Sequence, residues 1–396
     1  MRYTDIAIIG GGLAGSTAAA MLGRAGIPAI LIDPHTVYPP DLRCEKLAGS
    51  QLDLLLKTGL SEATLRATTH DGQVWTARFG YVIDKKPSDQ YGILYDRLVN
   101  TMRSQIPADV EIIHAKATAI STSAERQKIV VSNDNEISAR LVVLANGLNI
   151  GLRNTLGIER RVISECHSIT AAFDLKPVGQ TAFGFPALTY YPERAVDRMA
   201  YLTLFPIGDA MRANLMVYRS MDDPWLRELR RNPKAALFSL MPGLRAITGE
   251  IEVVGPVKIR PADLYVTTGH LQAGIVVIGD AFATSCPAAG TGTDKVFTDV
   301  ERLCNVHIPE WLASDGMNEK KIAAFYDDPA KVACDSRSTA KAYELRSLST
   351  DDGLSWRAQR WIRFMARFGE GVLRKCAPGS TTDGTSTLAR RGGLSG

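Results

Sequence analysis

Three glycines close to the start of the chain constrain its fold more than any other feature. Gly10, Gly12 and Gly15 form the pattern G-x-G-x-x-G between the apolar stretch Asp5–Gly10 and the helical pattern Leu13–Ala25. The first glycine of this pattern permits a tight turn, the second lets the backbone approach a pyrophosphate, and the third lets helix and strand pack closely. The pattern therefore predicts a Rossmann-type strand, turn and helix that bind a dinucleotide.

The residues that follow the glycines support this interpretation. Leu13 and Ala14 begin the helix, where free N–H groups and the positive end of the helix dipole favour a phosphate. Asp33 ends the next predicted strand, Pro28–Asp33, and its carboxylate can accept hydrogen bonds from the adenosine ribose. A glycine turn with a purely structural role is the alternative, and it would require neither the acid nor the helix.

A second motif near the other end of the chain decides which dinucleotide is expected. Asp280 follows the apolar stretch Gly274–Ile278, and Pro287, Gly290 and Gly292 precede a helical pattern. A carboxylate at a strand end suits a ribityl hydroxyl, and glycines that open a helix present N–H groups to a ring edge or a phosphate. An extended FAD requires such a second half-site, whereas a simple NAD dehydrogenase does not. The sequence thus predicts FAD, held non-covalently.

Composition and charge exclude several other classes of protein. Hydrophobic residues make up 45% of the 396 residues and charged residues 22%, which is typical of a globular protein. No apolar run reaches the roughly 18 residues of a membrane-spanning helix. The net charge is only +4, so nucleic-acid binding has no support. The first residues lack the pattern of a secretory signal, and we expect a cytoplasmic protein.

The cysteines and histidines show no spacing that is typical of a metal or redox centre. The six cysteines lie far apart without a C-x-x-C pair, and the six histidines form no metal-ligand pattern. We therefore expect no metal site, no disulfide framework and no dithiol centre.

The order of the predicted elements indicates a mixed α/β fold in which a second sheet interrupts the nucleotide-binding domain. We expect a Rossmann-type FAD-binding domain with a parallel sheet, an inserted antiparallel-sheet substrate domain, and C-terminal helices. The expected FAD-binding domain comprises residues 1–75, 96–155 and 270–310, and the substrate domain residues 76–95 and 156–269. Residues 311–377 are predicted to be helical, and the Gly/Ser/Thr-rich tail 378–396 is predicted to be disordered.

Hydrophobic periodicity predicts individual elements within this plan. The predicted helices include Ser50–Thr58, Asp96–Ser104, Pro224–Arg231 and Pro233–Leu240. The predicted strands include Val110–His114, Thr118–Thr122, Lys128–Ser132, Leu141–Ala145, Met199–Phe205 and Asn214–Tyr218.

With these motifs the chain resembles the class A flavoprotein monooxygenases, the para-hydroxybenzoate hydroxylase superfamily, up to about residue 330. Besides the glycine motif and the Asp280 segment, the resemblance lies in Asp41-Leu42-Arg43, Asp53-Leu54-Leu55 with Gly59, and Phe205-Pro206-Ile207-Gly208. In the family, the arginine at the position of Arg43 touches the FAD pyrophosphate and helps to receive the nicotinamide cofactor.

The resemblance implies a monooxygenase whose flavin is reduced by NADPH or NADH. Reduced flavin then traps O2 as a C4a-hydroperoxide, and one oxygen atom passes to an aromatic or other electron-rich small molecule. The cofactor performs the chemistry while the protein positions the substrate and excludes water. No catalytic residue is therefore identified with certainty, and Arg43, Asp294 and Pro287 are the candidates.

The chain departs from the family pattern at several positions. The family usually has Ala-Asp-Gly followed by serine and arginine where this chain has Asn146, Ile150 and the retained Arg153. That motif is linked to both FAD and NAD(P)H, so a separate reductase is an alternative electron source. Ala283 and Asp294 stand where histidine and asparagine are common. Asp294 is either a functional acid or base, or a carboxylate that stabilises a helix start.

Three other functions remain as alternatives. A related flavoprotein fold reduces lipid double bonds, as in geranylgeranyl reductases. Flavin-dependent halogenases are disfavoured because the chain has neither a W-x-W-x-I-P nor a G-E-A-T-x-P stretch. A non-catalytic FAD-binding protein is the third alternative. Tyr190, Tyr191 and Tyr201 lie on the predicted substrate sheet, where they either line the pocket or pack in a core.

A helical pattern near the C-terminus is amphipathic and basic. Its apolar face comprises Trp361, Phe364, Met365, Phe368 and Val372, and its basic face comprises Arg360, Arg363, Arg367 and Arg374. Such a helix can make peripheral contact with an anionic membrane surface. The alternative, which we favour, is that the apolar face packs on the protein and the arginines are solvated.

Overall fold

The structure is a computed structural model that describes residues 1–132 and 135–376. Its strands are β1 Arg2–Ile9, β2 Ala29–Ile32, β3 Lys46–Leu47, β4 Thr69–His70, β5 Gln73–Arg78, β6 Tyr81–Pro87, β7 Tyr91–Gly92, β8 Glu111–Ile113, β9 Ala117–Ser121, β10 Gln127–Val131, β11 Glu136–Leu144, β12 Glu159–Pro177, β13 Ala187–Tyr190, β14 Met199–Ile207, β15 Ala210–Val217, β16 Ile251–Thr268 and β17 Ile275–Val277. Its helices are α1 Leu13–Arg24, α2 Ser50–Lys57, α3 Ser61–Arg66, α4 Tyr95–Ser104, α5 Gly151–Asn154, α6 Pro224–Arg231, α7 Pro233–Leu240, α8 Leu244–Thr248, α9 Gly292–Arg302, α10 Ile308–Leu312, α11 Glu319–Tyr326, α12 Pro329–Thr350 and α13 Leu354–Cys376.

The first sheet carries the nucleotide-binding unit. Strands β8, β2, β1 and β11 run parallel in that order, β17 is parallel to the end of β11, and the β9–β10 hairpin pairs antiparallel with the start of β11. The strands are short and apolar because both faces of this sheet are covered. Ile6, Ile8, Leu141 and Val143 are fully buried in one core cluster with residues of α1.

The second sheet has the order β16-β12-β15-β14-β13-β5-β6 and is antiparallel except for the parallel pair β13 and β5. Helices α6 and α7 cover one face, where Leu226 and Leu237 are buried in a shared core with strand residues. The predicted hairpin around Gly208 is present as the β14–β15 connection. A small third sheet of β3, β7 and β4 contacts β14 of the second sheet.

The predicted fold class is confirmed, and most predicted elements appear within one or two residues of their expected ends. Strands β11 and β15 begin five and four residues before the predicted strands Leu141–Ala145 and Asn214–Tyr218. Strands β12 and β16 pair with each other over 19 and 18 residues, and the sequence pattern did not indicate their full length. Their register shifts at three places, so apolar residues do not alternate regularly along either strand. The predicted tail 378–396 lies outside the described residues.

The C-terminal helices pack across the other elements. Helix α12 contacts α9 and β14, and α13 contacts β6. A side chain at Gly371 would meet the carbonyl oxygen of Ile83 at 2.1 Å, so this glycine permits the close approach of α13. No helix among the described residues is long and apolar enough to cross a membrane.

The packing that we favoured for α13, with its apolar face on the protein and its arginines in solvent, is wrong. Trp361, Met365 and Phe368 are 57%, 56% and 44% exposed, whereas the side chains of Arg360 and Arg367 point inward and line a cavity. The two inward arginines interact with groups of the protein instead of water. Arg360 donates to the backbone oxygens of Leu348 and Asp351 at 3.2 and 2.8 Å, and Arg367 stacks 4.0 Å from the centre of a tyrosine ring.

Candidate functional site

The glycine motif lies where β1 and β11 end beside the start of α1. Gly10 has a φ of +104°, and a side chain there would lie 2.6 Å from the carbonyl oxygen of Ala145. A side chain at Gly15 would lie 1.8 Å from the carbonyl oxygen of Gly10. At Gly12 the nearest atom would be a ring carbon of Tyr38 at 3.9 Å, so the backbone there is open to a ligand.

The start of α1 fits a phosphate group. Gly12 is its N-cap, the first turn contains no acidic residue, and no side chain of a described residue caps the helix. The first N–H groups of the helix, those of Leu13 and Ala14 among them, therefore lack intrahelical partners. Such a helix start is a ready anion site, which suits the pyrophosphate of a dinucleotide.

Asp33 is buried against the glycine motif. Its carboxylate accepts hydrogen bonds from the backbone N–H of Gly11 at 2.6 Å and of His35 at 2.9 Å, and Arg103 lies 3.7 Å away. Asp33 therefore fixes the conformation of the loop. Since each carboxylate oxygen can accept more than one hydrogen bond, a ribose hydroxyl can still be accommodated.

Arg43 links the segment Asp41-Leu42-Arg43 to the second motif. Its guanidinium donates to Asp41 at 2.6 Å and to Asp280, 237 residues away, at 2.5 Å. Burial works against the charge of Arg43, but the carboxylate of Asp280 and its other neighbours hold its pKa above the ordinary value. The ring of Tyr95 lies 5.7 Å from the guanidinium carbon.

The second motif forms two short helical turns after β17. Asp280 lies in the turn Gly279–Ala281, and Pro287 begins the turn Pro287–Ala289. Gly290 follows with a φ of +65°, and Gly292 begins α9. Gly290 and Gly292 therefore stand at the start of a helix, as the glycine pattern predicts.

Asp294 lies in the first turn of α9, and its carboxylate joins two helices. It accepts a hydrogen bond from the hydroxyl of Ser50 and another from the side-chain amide of Gln51 at 3.1 Å. The same amide donates to the carbonyl oxygen of Gly290 at 2.8 Å. Gln51 thus links α2 to the second motif, a role that no local sequence signal indicates.

The segment that contains Asn146 and Arg153 lies next to the second motif. Arg153 is buried and donates to the carbonyl oxygens of Ala281 and Gly147. The amide nitrogen of Asn146 donates to the carbonyl oxygen of Asn149 at 3.1 Å, and its buried Oδ1 has no partner among the described residues. Arg153 is therefore part of the packing, and Asn146 retains an acceptor that a bound group can use.

A cavity of about 810 Å³ adjoins these motifs. The segment from Ala288 to Thr291 lines it together with Gln51 and Asp294. Tyr191 and Tyr201 line it from the second sheet as one prediction allowed, whereas Tyr190 is fully buried and donates to Glu193. Further lining residues come from β3, β5, α12 and α13: Lys46, Arg78, Arg337, Lys341, Arg360, Arg363, Phe364 and Arg367.

Lys46 is a cavity residue that the sequence did not identify. Its ammonium group lies 5.2 Å from the centre of the Phe205 ring, and burial lowers its pKa from 10.5 to about 8. Cys286, which directly precedes Pro287 in the second motif, is fully buried, contacts the hydroxyl group of Ser168 at 3.4 Å and does not line this cavity.

Comparisons with known proteins agree with this geometry. Residues 3–306 match the family model of the FAD binding domain. The chain is 25% identical over 326 residues to 3-demethoxyubiquinol 3-hydroxylase of Escherichia coli, covering 76% of this chain and 79% of the relative. It is 23% identical over 313 residues to digeranylgeranylglycerophospholipid reductase of Thermoplasma acidophilum, covering 74% of each chain. The crystal structure of p-nitrophenol 4-monooxygenase PnpA from Pseudomonas putida DLL-E4 has the same fold, with a TM-score of 0.73, 16% identity, and coverage of 95% of this chain and 97% of that one.

Proposed function

The chain belongs to the FAD binding domain family, to which the class A flavoprotein monooxygenases belong, and on this premise we propose that it inserts one oxygen atom of O2 into an electron-rich small molecule. The observation that carries the proposal is that the second motif lies against the start of α1, because a side chain at Gly279 would meet the Cβ of Ala14 at 3.3 Å. The two half-sites that an extended FAD requires are therefore adjacent, close to a cavity large enough for a small-molecule substrate.

We assign the FAD contacts as follows. When bound, the adenosine ribose would be held by Asp33, and the pyrophosphate would be held by Gly12, Leu13, Ala14 and Arg43. Gly10 and Gly15 shape the loop. At the other half-site, Asp280 would accept a hydrogen bond from the ribityl chain, and the segment that contains Pro287, Gly290 and Gly292 would hold the flavin ring. The division into an FAD-binding and a substrate-binding domain is part of the same proposal.

When bound, FAD would supply the redox chemistry, taking electrons from NADPH or NADH and activating O2. The chain's own residues bind and orient the reactants and exclude water. Arg43 and Asp294 already have protein partners, so we assign both as positioning residues. Asp294 orients Gln51, which in turn holds the carbonyl oxygen of Gly290. Pro287 begins the turn that places this backbone.

The electron source depends on the segment around Asn146. Its amide can keep the hydrogen bonds of the family's aspartate but lacks the charge. We propose direct reduction by NADPH or NADH, with a separate reductase as the alternative. Flavin reduction followed with each nicotinamide cofactor, for wild type and Asn146→Asp, distinguishes the two. Rapid reduction of the wild type supports direct use, and reduction by neither cofactor contradicts it.

Reduction of a lipid double bond is the second candidate function. It is favoured by the similarity to a reductase of an isoprenoid lipid and by the exposed apolar face of α13. We propose that this face makes peripheral contact with a membrane, whichever reaction the enzyme performs.

Product mass distinguishes the two reactions. The FAD-containing protein would be incubated with NADPH and isotopically labelled O2, with phenolic acids and prenylated quinols as trial substrates. A product that contains one labelled oxygen atom supports the hydroxylase. A product heavier by two hydrogen atoms, without labelled oxygen, supports the reductase and contradicts the first proposal.

A further inference from the structure

The cavity is strongly unbalanced in charge. Its lining includes seven cationic side chains, those of Lys46, Arg78, Arg337, Lys341, Arg360, Arg363 and Arg367, and one carboxylate, that of Asp294. The whole chain has 46 Lys and Arg against 42 Asp and Glu, so the imbalance is local. A cleft lined by charge of one sign concentrates ligands of the opposite sign.

Most of these cations have no carboxylate partner. Arg363 forms an ion pair with Glu344, whereas Arg78, Arg360 and Arg367 form none with any residue in the described ranges 1–132 and 135–376. Their positions are nevertheless defined. Arg78 donates to the carbonyl oxygen of Pro192 at 2.8 Å, while Arg360 is held by backbone oxygens and Arg367 by an aromatic ring.

These three arginines also repel one another. Burial lowers the pKa of Arg78, and the neighbouring charges of Arg367 and Arg360 lower it further. Like charges that are held together in a half-buried place destabilise the unliganded protein, and an anion relieves this repulsion. Guanidinium groups are well suited to carboxylate, sulfate and phosphate because their planar N–H donors match the oxygen atoms.

The remainder of the lining is largely apolar. Ala200, Ala288, Leu345, Leu348 and Phe364 line the cavity together with the arginines. A ligand that fills this space therefore needs both an apolar body and an acidic group.

We propose that the substrate of this enzyme carries a carboxylate, sulfate or phosphate group on an apolar body, and that Arg78, Arg360 and Arg367 bind the acidic group. This inference rests on the proposed function, because it takes the cavity beside the flavin motif as the substrate site. The acidic group contacts the arginines while the apolar body extends towards the segment from Ala288 to Gly290. These arginines therefore determine specificity and take no part in the redox step.

A matched pair of probes tests the proposal on the FAD-containing protein. 2-Naphthoate and 2-naphthamide share one ring system, but only the first is charged. Binding is followed through the visible absorbance of the flavin, which responds to ligands next to it. We expect 2-naphthoate to bind at least about tenfold more tightly than 2-naphthamide, a difference of about 1.4 kcal/mol.

The variants Arg360→Gln and Arg367→Gln should each weaken 2-naphthoate binding by about three- to tenfold and leave 2-naphthamide binding unchanged. Arg367→Lys, which keeps the charge, should restore part of the loss if Gln weakens binding through charge. Arg357→Gln is the matched control, because Arg357 is on the same helix, exposed, and outside the cavity lining. It should leave both affinities unchanged.

Two results would overturn the inference. Equal affinity for the two probes would show that the cations do not select an acidic ligand. If adenosine 2′,5′-bisphosphate displaced 2-naphthoate, and the arginine variants slowed flavin reduction by NADPH without changing 2-naphthoate affinity, the cations would serve the phosphates of the reductant. Failure of the proposed function would be recognised separately. A purified protein that retains no FAD would contradict that function, and this result does not depend on the affinities for the two probes.

Discussion

Two cations next to the second flavin motif and two in the cavity wall differ in their partners. Next to the second motif, Arg43 and the α12 residue Lys331 lie on carboxylates, at 2.5 Å from Asp280 and 2.7 Å from Asp299. In the cavity wall formed by the C-terminal helices, Arg360 and Arg367 lie on carbonyl oxygens and an aromatic ring. A carboxylate partner neutralises the charge of the first two cations. The two cavity arginines have no carboxylate partner among the described residues, so their charge is available to a ligand. The comparison therefore separates residues that hold the protein together from residues that select what it binds.

The largest effect should come from breaking a buried pair. Lys331 is 1% exposed and bonds Asp299, whose other oxygen accepts the N–H of Gly279 in the second motif. Lys331→Met leaves an unpaired buried carboxylate, and we expect the free energy of unfolding to fall by about 3–5 kcal/mol. Urea denaturation measures this change.

Two controls accompany this variant. Lys320→Met removes an exposed lysine from the neighbouring helix α11 and should change stability by less than about 0.5 kcal/mol. The double variant Lys331→Met, Asp299→Asn removes both charges and should recover part of the loss. An equal loss for Lys331→Met and Lys320→Met would contradict the structural role of the pair.

The second effect concerns the glycine motif. Asp33→Ala removes the acceptor of the Gly11 N–H, which lies 2.6 Å away, together with the proposed contact to the ribose. We expect FAD to bind more weakly by about 1.5–3 kcal/mol, the range for hydrogen bonds to a charged group. Equilibrium dialysis or recovery of FAD by the apoprotein measures the affinity.

Asp109→Ala, at an exposed position away from the site, serves as the control and should bind FAD normally. If Asp33→Ala retained FAD as tightly as wild type, the carboxylate would contact neither the loop nor the ribose in a way that matters for binding.

A smaller effect is expected at the exposed face of α13. Trp361→Ser together with Phe368→Ser removes two rings that are 57% and 44% exposed. We expect binding to anionic phosphatidylglycerol vesicles to weaken by about fivefold, or roughly 1 kcal/mol, because less apolar area is buried. Co-sedimentation measures binding, with Val196→Ser as an exposed control on another surface. If the wild-type protein did not bind these vesicles, the proposed membrane contact would be wrong.

A pH-dependent effect is expected at Lys46, whose folded pKa is about 8 against an ordinary value of 10.5. Between these values the unfolded chain binds more protons than the folded protein, so the contribution of Lys46 to stability rises with pH. Lys46→Met should therefore gain stability over wild type at pH 7, and this gain should shrink as the pH approaches 10. Urea denaturation at several pH values tests this, and a pH-independent difference would contradict the lowered pKa.

The sequence predicted those parts of the site that depend on local backbone geometry. Gly10, Gly15 and Gly290 are identified by turns and close approaches that only glycine permits, and Asp280 by its position after an apolar strand. The inward face of α13 could not be predicted, because an amphipathic pattern shows that two faces differ without showing which one meets the protein.

The missed residues have a related explanation. Gln51 acquires its role only because α2 lies next to α9 and the second motif, a juxtaposition across about 240 residues. Lys46 acquires its role because β3 lies close to Phe205 of β14. The length of β12 and β16 was missed because their irregular register removes the alternating pattern by which strands are recognised.

We propose that the glycine motif and the second motif, which meet where Gly279 lies against Ala14, hold a single extended FAD. The most direct test is to denature the purified protein with heat and to identify what is released by chromatography and absorbance. We expect a yellow protein that releases one FAD per chain, with no flavin left covalently attached. Release of FMN, of NAD or of no dinucleotide from protein that is otherwise folded would contradict it.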